Sequence, residues 1–301
     1  MGTYYYHAFD MRIQSDFELS LPSMEKGRAT GHILEIIEGN VPLPAKLPFL
    51  LGSIRYGMEA NGIIFDIPWS ARYRIEGSSR IVVEPIPNVG VEWIDLYITN
   101  FLLTIVLSRR GIVTLHGSAI SRDGRGIIFL GKKGAGKSTI AAKMALSGYE
   151  MLCDDAIPVS PDGMIFPGIP YPKLLSDAFN QLIGQPSNES RLFDGVGKYR
   201  VELPSSRVAV PLYIIFILEA APQESHAQLT FEPLTGVEKF QAVLSNSISF
   251  EGVVEPETLF QNISKWLPQK TCYCVLRPSD IDSLQELMDT VWNLEKQVAF
   301  F

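Results

Sequence analysis

Residues 131–138 have the sequence GKKGAGKS, which matches the pattern G-x-x-x-x-G-K-[ST] and is followed by Thr139. Glycines at this spacing let backbone N–H groups turn toward phosphate oxygens, and a helix that begins at Lys137 adds its positive N-terminal end. Lys137 is expected to reach the β and γ phosphates, and the Ser138 hydroxyl is expected to ligate magnesium. The predicted site for ATP and Mg²⁺ comprises Gly131, Lys132, Lys133, Gly134, Ala135, Gly136, Lys137, Ser138 and Thr139.

Two adjacent aspartates follow this loop after one helix and one strand. The predicted strand, YEMLCDDAIPV at residues 149–159, contains Asp154 and Asp155. A helix of about 11 residues rises roughly 16 Å and the strand returns a comparable distance, so both carboxylates are expected near the mouth of the loop. Strand neighbours face opposite sides. Unless the strand ends between them, one is predicted to face the metal and phosphates and the other His116 or an acceptor. A single Asp here could merely cap a turn, but the doublet favours catalysis.

The segment before the loop predicts a β-hairpin that carries His116. Two apolar runs, GIVTLHGSAI and IIFLG, flank the turn sequence SRDGRG, and Asp-Gly is a strong hairpin signal. If the turn is centred on Asp123 and Gly124, His116 lies opposite Gly131, and a shift by one residue moves it only to Lys133. A lone His in an apolar strand is usually a core or turn residue. At this place, however, it is predicted to orient an aspartate or to donate to the transferring phosphoryl group.

The surrounding elements predict two domains. Residues 1–90 alternate apolar and polar positions in short runs separated by Gly, Pro and Ser, which indicates a small, mainly antiparallel β domain. Residues 91–110 have helical spacing and are predicted to lead into the second domain, residues 91–301. The predicted fold class is therefore α/β, with a P-loop domain that extends into a C-terminal α/β tail.

Further segments complete the second domain. A helix is predicted around LLSDAFNQLI, a polar loop over residues 184–198, and strands at KYRVEL and VPLYIIFILE. The tail contains the segments GVEKFQAVLSNS and PETLFQNISKWL, the strand CYCVLRP and a final helix. His7, His32 and His226 have no chemistry-bearing neighbours in the sequence and are interpreted as structural or surface residues.

Charge and composition restrict the partners. The net charge of -7 is spread along 301 residues without a basic cluster, which argues against nucleic acid. The longest apolar run, FLLTIVLS at 101–108, is far below the roughly 20 residues of a membrane-spanning helix. No secretory signal is visible at the N-terminus, so we expect a cytoplasmic protein. The three cysteines form no disulfide framework, and homo-oligomerisation is left open.

The combination LHGSAI, GIIFLGKKGAGKST and GYEMLCDDAIPV resembles the catalytic domain of the HPr kinase/phosphorylase family. Those bacterial enzymes phosphorylate a serine on a small carrier protein, and their fold is similar to that of phosphoenolpyruvate carboxykinase. The resemblance covers residues 111–160 and preserves the intervals between the three motifs. It implies that Asp155 takes the proton from an acceptor serine, that Asp154 assists magnesium or His116, and that Lys137 holds the transferred phosphate.

The sequence also departs from that family. The bifunctional enzymes follow this core with a Gly-rich RGLG segment, a metal-binding glutamate and an arginine-bearing loop, whereas this chain has FPGIPYPKLLSD. These differences argue against phosphorylase activity and against the carrier protein as substrate. The proline-rich segment PGIPYPK after the aspartates and the KYRVELP strand resemble the HPr-kinase-related lasso-peptide kinases, which phosphorylate the C-terminal serine of a precursor peptide. Exposed basic residues are usually just solvated, but three are candidates for phosphate or peptide contacts: Lys173, Lys198 and Arg200.

Three functions therefore remain open from the sequence. The first is a one-way ATP-dependent kinase that acts on a serine of a peptide or small protein. The second is a nucleotide-binding regulatory or assembly module with weak hydrolysis, which would not need the aspartates. The third is a small-molecule kinase or carboxykinase-like enzyme, for which no anion-binding arginine array or separate metal cluster is visible in the sequence.

Overall fold

The computed structural model describes residues 2–24, 31–44, 46–60, 62–185, 197–221, 228–278 and 282–298. The chain divides into two compact units, Met1–Thr114 with Ile248–Asn262 and Leu115–Ser247 with Ile263–Phe301. These compact units do not show which segments fold independently. The predicted domain boundary at residue 90 therefore stays a prediction. Most of the predicted polar loop at 184–198, as well as His226, lies outside the described residues.

The first unit is built on an eight-stranded sheet. Its strands are β1 (Tyr4–Ala8), β2 (Met11–Ser15), β3 (His32–Glu38), β4 (Phe49–Leu51), β5 (Ile54–Glu59), β6 (Gly62–Asp66), β7 (Ala71–Glu76) and β8 (Arg80–Pro85). They are arranged in the order β1-β2-β3-β8-β7-β6-β5-β4. The pairs β2–β3 and β3–β8 are parallel, and the other five pairs are antiparallel. In β7 the alternate residues Ala71, Tyr73 and Ile75 are buried, as expected of a strand with one face on a core.

A long apolar helix follows this sheet in the first unit. It consists of α1 (Val91–Tyr97), a π-helical stretch (Ile98–Leu102) and α2 (Leu103–Arg109), which confirms the helix predicted over 91–110. Within the described residues it is the one helix with the length and apolarity of a membrane span, a property that the eight-residue run alone did not reveal. Half of its most apolar window is buried inside the protein, as in a core helix, so the indication of a membrane span is weak.

The second unit combines short strands with helices. The chain enters it through β9 (Val113–Leu115). The further strands are β10 (Gly117–Arg122), β11 (Arg125–Gly131), β12 (Glu150–Asp154), β13 (Ile157–Val159), β14 (Met164–Ile165), β15 (Lys173–Leu175), β16 (Lys198–Arg200), β17 (Val210–Ala220), β18 (Thr230–Pro233) and β19 (Thr271–Arg277). Its helices are α3 (Lys137–Leu146), α4 (Ser176–Leu182), α5 (Gly236–Ser245) and α7 (Asp282–Val298), whereas α6 (Pro256–Ser264) spans the division between the units.

The central sheet of the second unit is mixed. In spatial order β12, β10, β11, β17, β19 and β18 are neighbours, and β14 pairs with the first residues of β17. The pairs β11–β17 and β17–β19 are parallel, so the carboxyl ends of these three strands lie at one edge. One face of the sheet packs against α3 and α7 around Phe129 and Phe216, whose side chains are fully buried. Continuous apolar runs such as IIFL and LYIIFIL are typical of strands covered on both faces.

The hairpin before the phosphate loop is confirmed. Arg122 pairs with Arg125 across the turn, and Gly117 pairs with Leu130. His116 precedes Gly117 and Gly131 follows Leu130, so this register brings His116 to the level of Gly131, as predicted. Asp123 and Gly124 have φ angles of 48° and 72°, as a two-residue turn of the Asp-Gly type requires.

The single strand predicted over residues 149–159 is wrong. β12 ends at Asp154, Asp155 has a φ of 67°, and a second strand, β13, begins at Ile157. A left-handed residue cannot continue a strand, because the extended backbone requires a negative φ. The strand thus ends between the two aspartates, the arrangement under which strand alternation no longer determines their directions. The helix predicted around LLSDAFNQLI is confirmed as α4.

Candidate active site

The predicted phosphate loop connects β11 to α3. Gly131, Gly134 and Gly136 all have positive φ angles, of 136°, 87° and 90°. A Cβ atom at Gly131 would lie 2.3 Å from the carbonyl oxygen of Leu218 on the neighbouring strand, so the close packing of β11 on β17 also requires glycine there. Lys132, Lys133 and Gly134 are exposed. The loop therefore has the backbone of a phosphate-binding turn and an open rim.

Lys137 begins α3 and is 8% exposed. Its Nζ donates hydrogen bonds to the carbonyl oxygens of Gly131, at 2.8 Å, and of Lys132, at 3.1 Å. The pKa of Lys137 is lowered, first by burial, although the charges of Asp154 and Asp155 oppose this shift. The ammonium group is thus already held inside the loop, in position to bind a phosphate group.

Asp154 is the last residue of β12, and it is 3% exposed. Its Oδ1 accepts hydrogen bonds from Ser118 Oγ at 2.5 Å and from Ser138 Oγ at 2.9 Å, and its Oδ2 accepts one from the Lys173 N–H at 3.1 Å. Burial, and then the negative charge of Asp155, raise the pKa of Asp154 to about 6. This buried carboxylate is fixed in orientation beside the hydroxyl that is predicted to ligate magnesium.

The donor set fits magnesium. Ser138 and Asp154 place hard oxygen ligands side by side, and Mg²⁺ is typically held by one or two protein oxygens together with substrate phosphates and water. Within the described ranges no group of three or more His, Cys, Asp or Glu side chains could hold a metal by itself. A magnesium ion at Ser138 and Asp154 would take its other ligands from phosphate oxygens and water.

Asp155 turns away from the strand because of its left-handed backbone. Its carboxylate accepts a hydrogen bond from Lys173 Nζ at 2.7 Å, and its carbonyl oxygen lies 3.1 Å from His116 Nδ1. Burial alone would raise the pKa of Asp155, but the charge and hydrogen bond of Lys173, followed by the charge of Lys198, outweigh it and lower the pKa. Asp155 is therefore ionised at neutral pH.

His116 contacts the main chain of Asp155, not either carboxylate. Because a carbonyl oxygen only accepts, Nδ1 carries the proton in this contact, and Nε2 then has a lone pair when the ring is neutral. The pKa of His116 is lowered, first by desolvation and then by the charge of Lys137, which favours the neutral ring. The geometry therefore favours a role in orienting the Asp155 segment over donation to a phosphoryl group.

The three basic candidates lie on or near a two-stranded ribbon formed by β15 and β16. Lys173 pairs with Arg200 and Leu175 pairs with Lys198. Lys173 contacts both aspartates, as described above. The charge of Lys198 shifts the pKa values of His116, Lys137 and Asp155, whereas the Arg200 guanidinium lies 3.5 Å from the centre of the Tyr171 ring and bonds Glu202. The structure thus brings Lys173 into the site, Lys198 within electrostatic range, and Arg200 beside other partners.

Sequence reasoning missed two residues that fix the site. Ser118 lies opposite Asp154 in the β10–β12 pairing, and Asn246 follows α5. Asn246 Oδ1 accepts the N–H of Gly131 at 3.0 Å, and its carbonyl oxygen accepts the N–H of His116 at 2.7 Å. The hairpin strand predicted to carry His116 also contains Ser118, so alternation applied to the sequence alone could have indicated Ser118, although β10 itself begins only at Gly117. No local signal indicates Asn246, because its contacts are distant in sequence.

Replacing Asn246 by Ala is expected to raise the Kd for ADP by about 3- to 10-fold, because the N–H of Gly131 loses the acceptor that holds the start of the loop. Calorimetric titration of ADP with magnesium measures this effect. Ser245→Ala is the control, since that hydroxyl is exposed and donates a hydrogen bond to the Gln241 carbonyl oxygen in its own helix. Equal ADP affinities of Asn246→Ala and the parent would show that the loop does not need this contact.

Comparison with known proteins adds little. No protein-family model matches the chain, and no curated protein matches it. Among solved structures it is similar to the Hpr(Ser) kinase/phosphatase from Coxiella burnetii, with 11% identity and a TM-score of 0.31 over 62% of this chain and 98% of that chain. A superposition this loose carries no argument about activity. The chain is a mixed α/β protein with several sheets. Its likeness to the HPr kinase/phosphorylase family is a resemblance in three sequence motifs.

Proposed function

We propose that this protein is a magnesium-dependent kinase that transfers the γ-phosphate of ATP to a serine hydroxyl of a peptide or small protein. One observation carries the proposal: Lys137, the Ser138–Asp154 oxygen pair and the Asp155 carboxylate meet at one mouth of the loop. Phosphoryl transfer needs charge neutralisation, in-line positioning and a carboxylate directed at the acceptor hydroxyl. The proposed fold type is the P-loop kinase domain similar to HPr kinase, with a small β domain preceding it.

In the proposed reaction the serine oxygen attacks the γ-phosphorus, and the bond from that phosphorus to the β–γ bridging oxygen breaks. The serine proton passes to Asp155, and ADP leaves. Lys137 neutralises the phosphate oxygens, while Ser138 and Asp154 would hold the magnesium ion, which supplies charge stabilisation when bound. His116 holds the carbonyl group of Asp155 and so orients the base.

Lys173 connects the two carboxylates in this scheme. Its N–H fixes Asp154, and its ammonium group keeps Asp155 ionised and ready to accept a proton. The same ion pair reduces the basicity of Asp155, so the acceptor or the γ-phosphate has to share Lys173 before proton transfer becomes efficient. Lys198 adds positive charge on the same side.

For the acceptor we propose the C-terminal serine of a lasso precursor peptide. The proline-rich segment PGIPYPK, residues 167–173, brings Lys173 to the aspartates and is the feature that resembles the lasso-peptide kinases. The same segment stands where the bifunctional family has its Gly-rich signature, which supports one-way transfer. A cytoplasmic enzyme with access to ATP and to newly made peptide fits this role.

The deciding experiment incubates the full chain with labelled ATP, magnesium and a precursor peptide that ends in serine, beside the same peptide ending in alanine. We expect label only on the serine peptide. Replacing Lys137 by Ala should lower the transfer rate by at least about 10²-fold, because the loop loses its phosphate-facing charge. Lys143→Ala, in the last turn of the same helix, is the matched control.

Hydrolysis of ATP without transfer to any serine peptide would favour the regulatory or assembly module instead. Transfer to the alanine-ended peptide would show that the C-terminal serine is not the acceptor. Full transfer by Lys137→Ala would remove the loop from the mechanism.

A further inference from the structure

Arg277 is the last residue of β19 and lies at the same sheet edge as the phosphate loop. Across the parallel strands Gly131 pairs with Leu218, and Leu218 pairs with Val275. The strand therefore reaches Arg277 two residues beyond the level at which the loop begins. In parallel sheets, ligands bind at the carboxyl ends of the strands.

The side chain of Arg277 reaches Gly136, at the end of the loop. Tyr273 and Val275 pack on the sheet face that α3 covers, and strand alternation puts Arg277 on this face. A Cβ atom added at Gly136 would lie 2.5 Å from Arg277 Nη1 and 3.6 Å from Cζ. The guanidinium group therefore lies against the last residue of the loop, where α3 begins.

Arg277 and the proposed metal oxygens flank the loop on opposite sides. Asp154 is on β12, two strands from β11 in one direction, and Arg277 is on β19, two strands from β11 in the other. The aspartates mark the side of the transferred phosphate in the proposed function. The opposite side of the loop is then the place of the phosphates that leave with the nucleoside.

We propose that Arg277 binds the non-transferred phosphates of the nucleotide. This inference deepens the proposed function and rests on the nucleotide binding that it assumes. A guanidinium group stays protonated at any physiological pH and offers parallel N–H donors that match phosphate oxygens. It complements Lys137, which lies inside the loop, by adding a guanidinium group beside Gly136, where α3 begins. Its contacts are made with ADP as well as with ATP.

The variant Arg277→Gln tests this inference in the full chain by calorimetric titration with ADP, pyrophosphate and adenosine in the presence of magnesium. We expect the Kd values for ADP and for pyrophosphate to rise by a similar factor, about 10- to 100-fold, because charge-assisted hydrogen bonds are lost. Arg277→Lys should show a smaller rise, since it keeps the charge but loses the paired donors. Arg125→Gln, at the opposite end of β11, should bind ADP like the parent.

A structural role has to be separated from binding, because Arg277 Nε also donates to the carbonyl oxygen of Pro278 at 3.0 Å. Thermal unfolding of each variant shows whether the fold persists. If Arg277→Gln does not fold, unchanged affinity for ADP and pyrophosphate in a folded Arg277→Lys variant overturns the inference, and a rise in both Kd values supports it.

The outcomes also separate this inference from the kinase proposal. If the parent binds ADP and folded Arg277→Gln binds it equally well, the inference fails and the kinase proposal stands. If ADP and pyrophosphate binding depend on Arg277 but no serine peptide is phosphorylated, the kinase proposal fails and the inference stands. A loss of adenosine affinity with unchanged pyrophosphate affinity would place Arg277 at the base, against this inference.

Discussion

Replacing Asp155 by Asn is expected to lower kcat for peptide phosphorylation by about 10²- to 10⁴-fold while the Kd for ADP changes little. The amide cannot accept the serine proton, and general bases contribute a rate factor of this size. Asn also tolerates the left-handed backbone, whose φ is 67° at this position, so the turn after β12 is retained. Single-turnover transfer of labelled phosphate, measured beside ADP affinity, separates chemistry from binding.

Asp123→Asn provides a matched control for this prediction. Asp123 is also left-handed, with a φ of 48°, and its side chain is 88% exposed at the hairpin turn. The control should transfer phosphate at the parental rate, because Asn-Gly suits the same turn. If Asp155→Asn transfers phosphate as fast as Asp123→Asn, Asp155 is not the base.

Replacing Asp154 by Asn is expected to raise the magnesium concentration needed for half-maximal transfer by at least about 10- to 100-fold. The variant loses the negative charge beside Ser138. In the parent, both carboxylate oxygens accept hydrogen bonds from hydroxyl or N–H groups. The NH₂ group of Asn replaces one of these oxygens, so a donor there faces another donor. Initial rates at saturating ATP over a range of magnesium concentrations measure this effect.

Asp162→Asn is the control for the magnesium prediction, because that carboxylate is exposed in a turn and accepts a hydrogen bond from Ser160. Magnesium dependence should be parental in the control. A parental magnesium dependence in Asp154→Asn as well would assign the metal to other ligands. A variant that no longer folds would be recognised by its thermal unfolding, and Asp154→Glu would then carry the test.

Local features of this site follow from the sequence, and distant ones do not. The hairpin register that brings His116 to the loop follows from one Asp-Gly turn, because pairing near a tight turn has few alternatives. The end of β12 between Asp154 and Asp155 does not follow from the sequence. It depends on the left-handed φ of Asp155, and an aspartate is equally compatible with an extended backbone. Asn246 and Arg277 reach the loop through contacts with residues more than a hundred positions away, and no spacing rule reports these contacts.

The pairing of β11 with β17 has a consequence for synthesis of the chain. The hairpin, the loop, α3 and both aspartates are complete once Val159 has been made, yet β11 lies between β10 and β17 in the sheet. Gly131 can pair with Leu218 only after residue 218 has been synthesised. A chain emerging from the ribosome therefore carries His116, Lys137 and both aspartates well before it has the strand that supports the loop. A truncated product ending near residue 160 should bind no nucleotide, and activity should first appear only after β17 has been translated and paired.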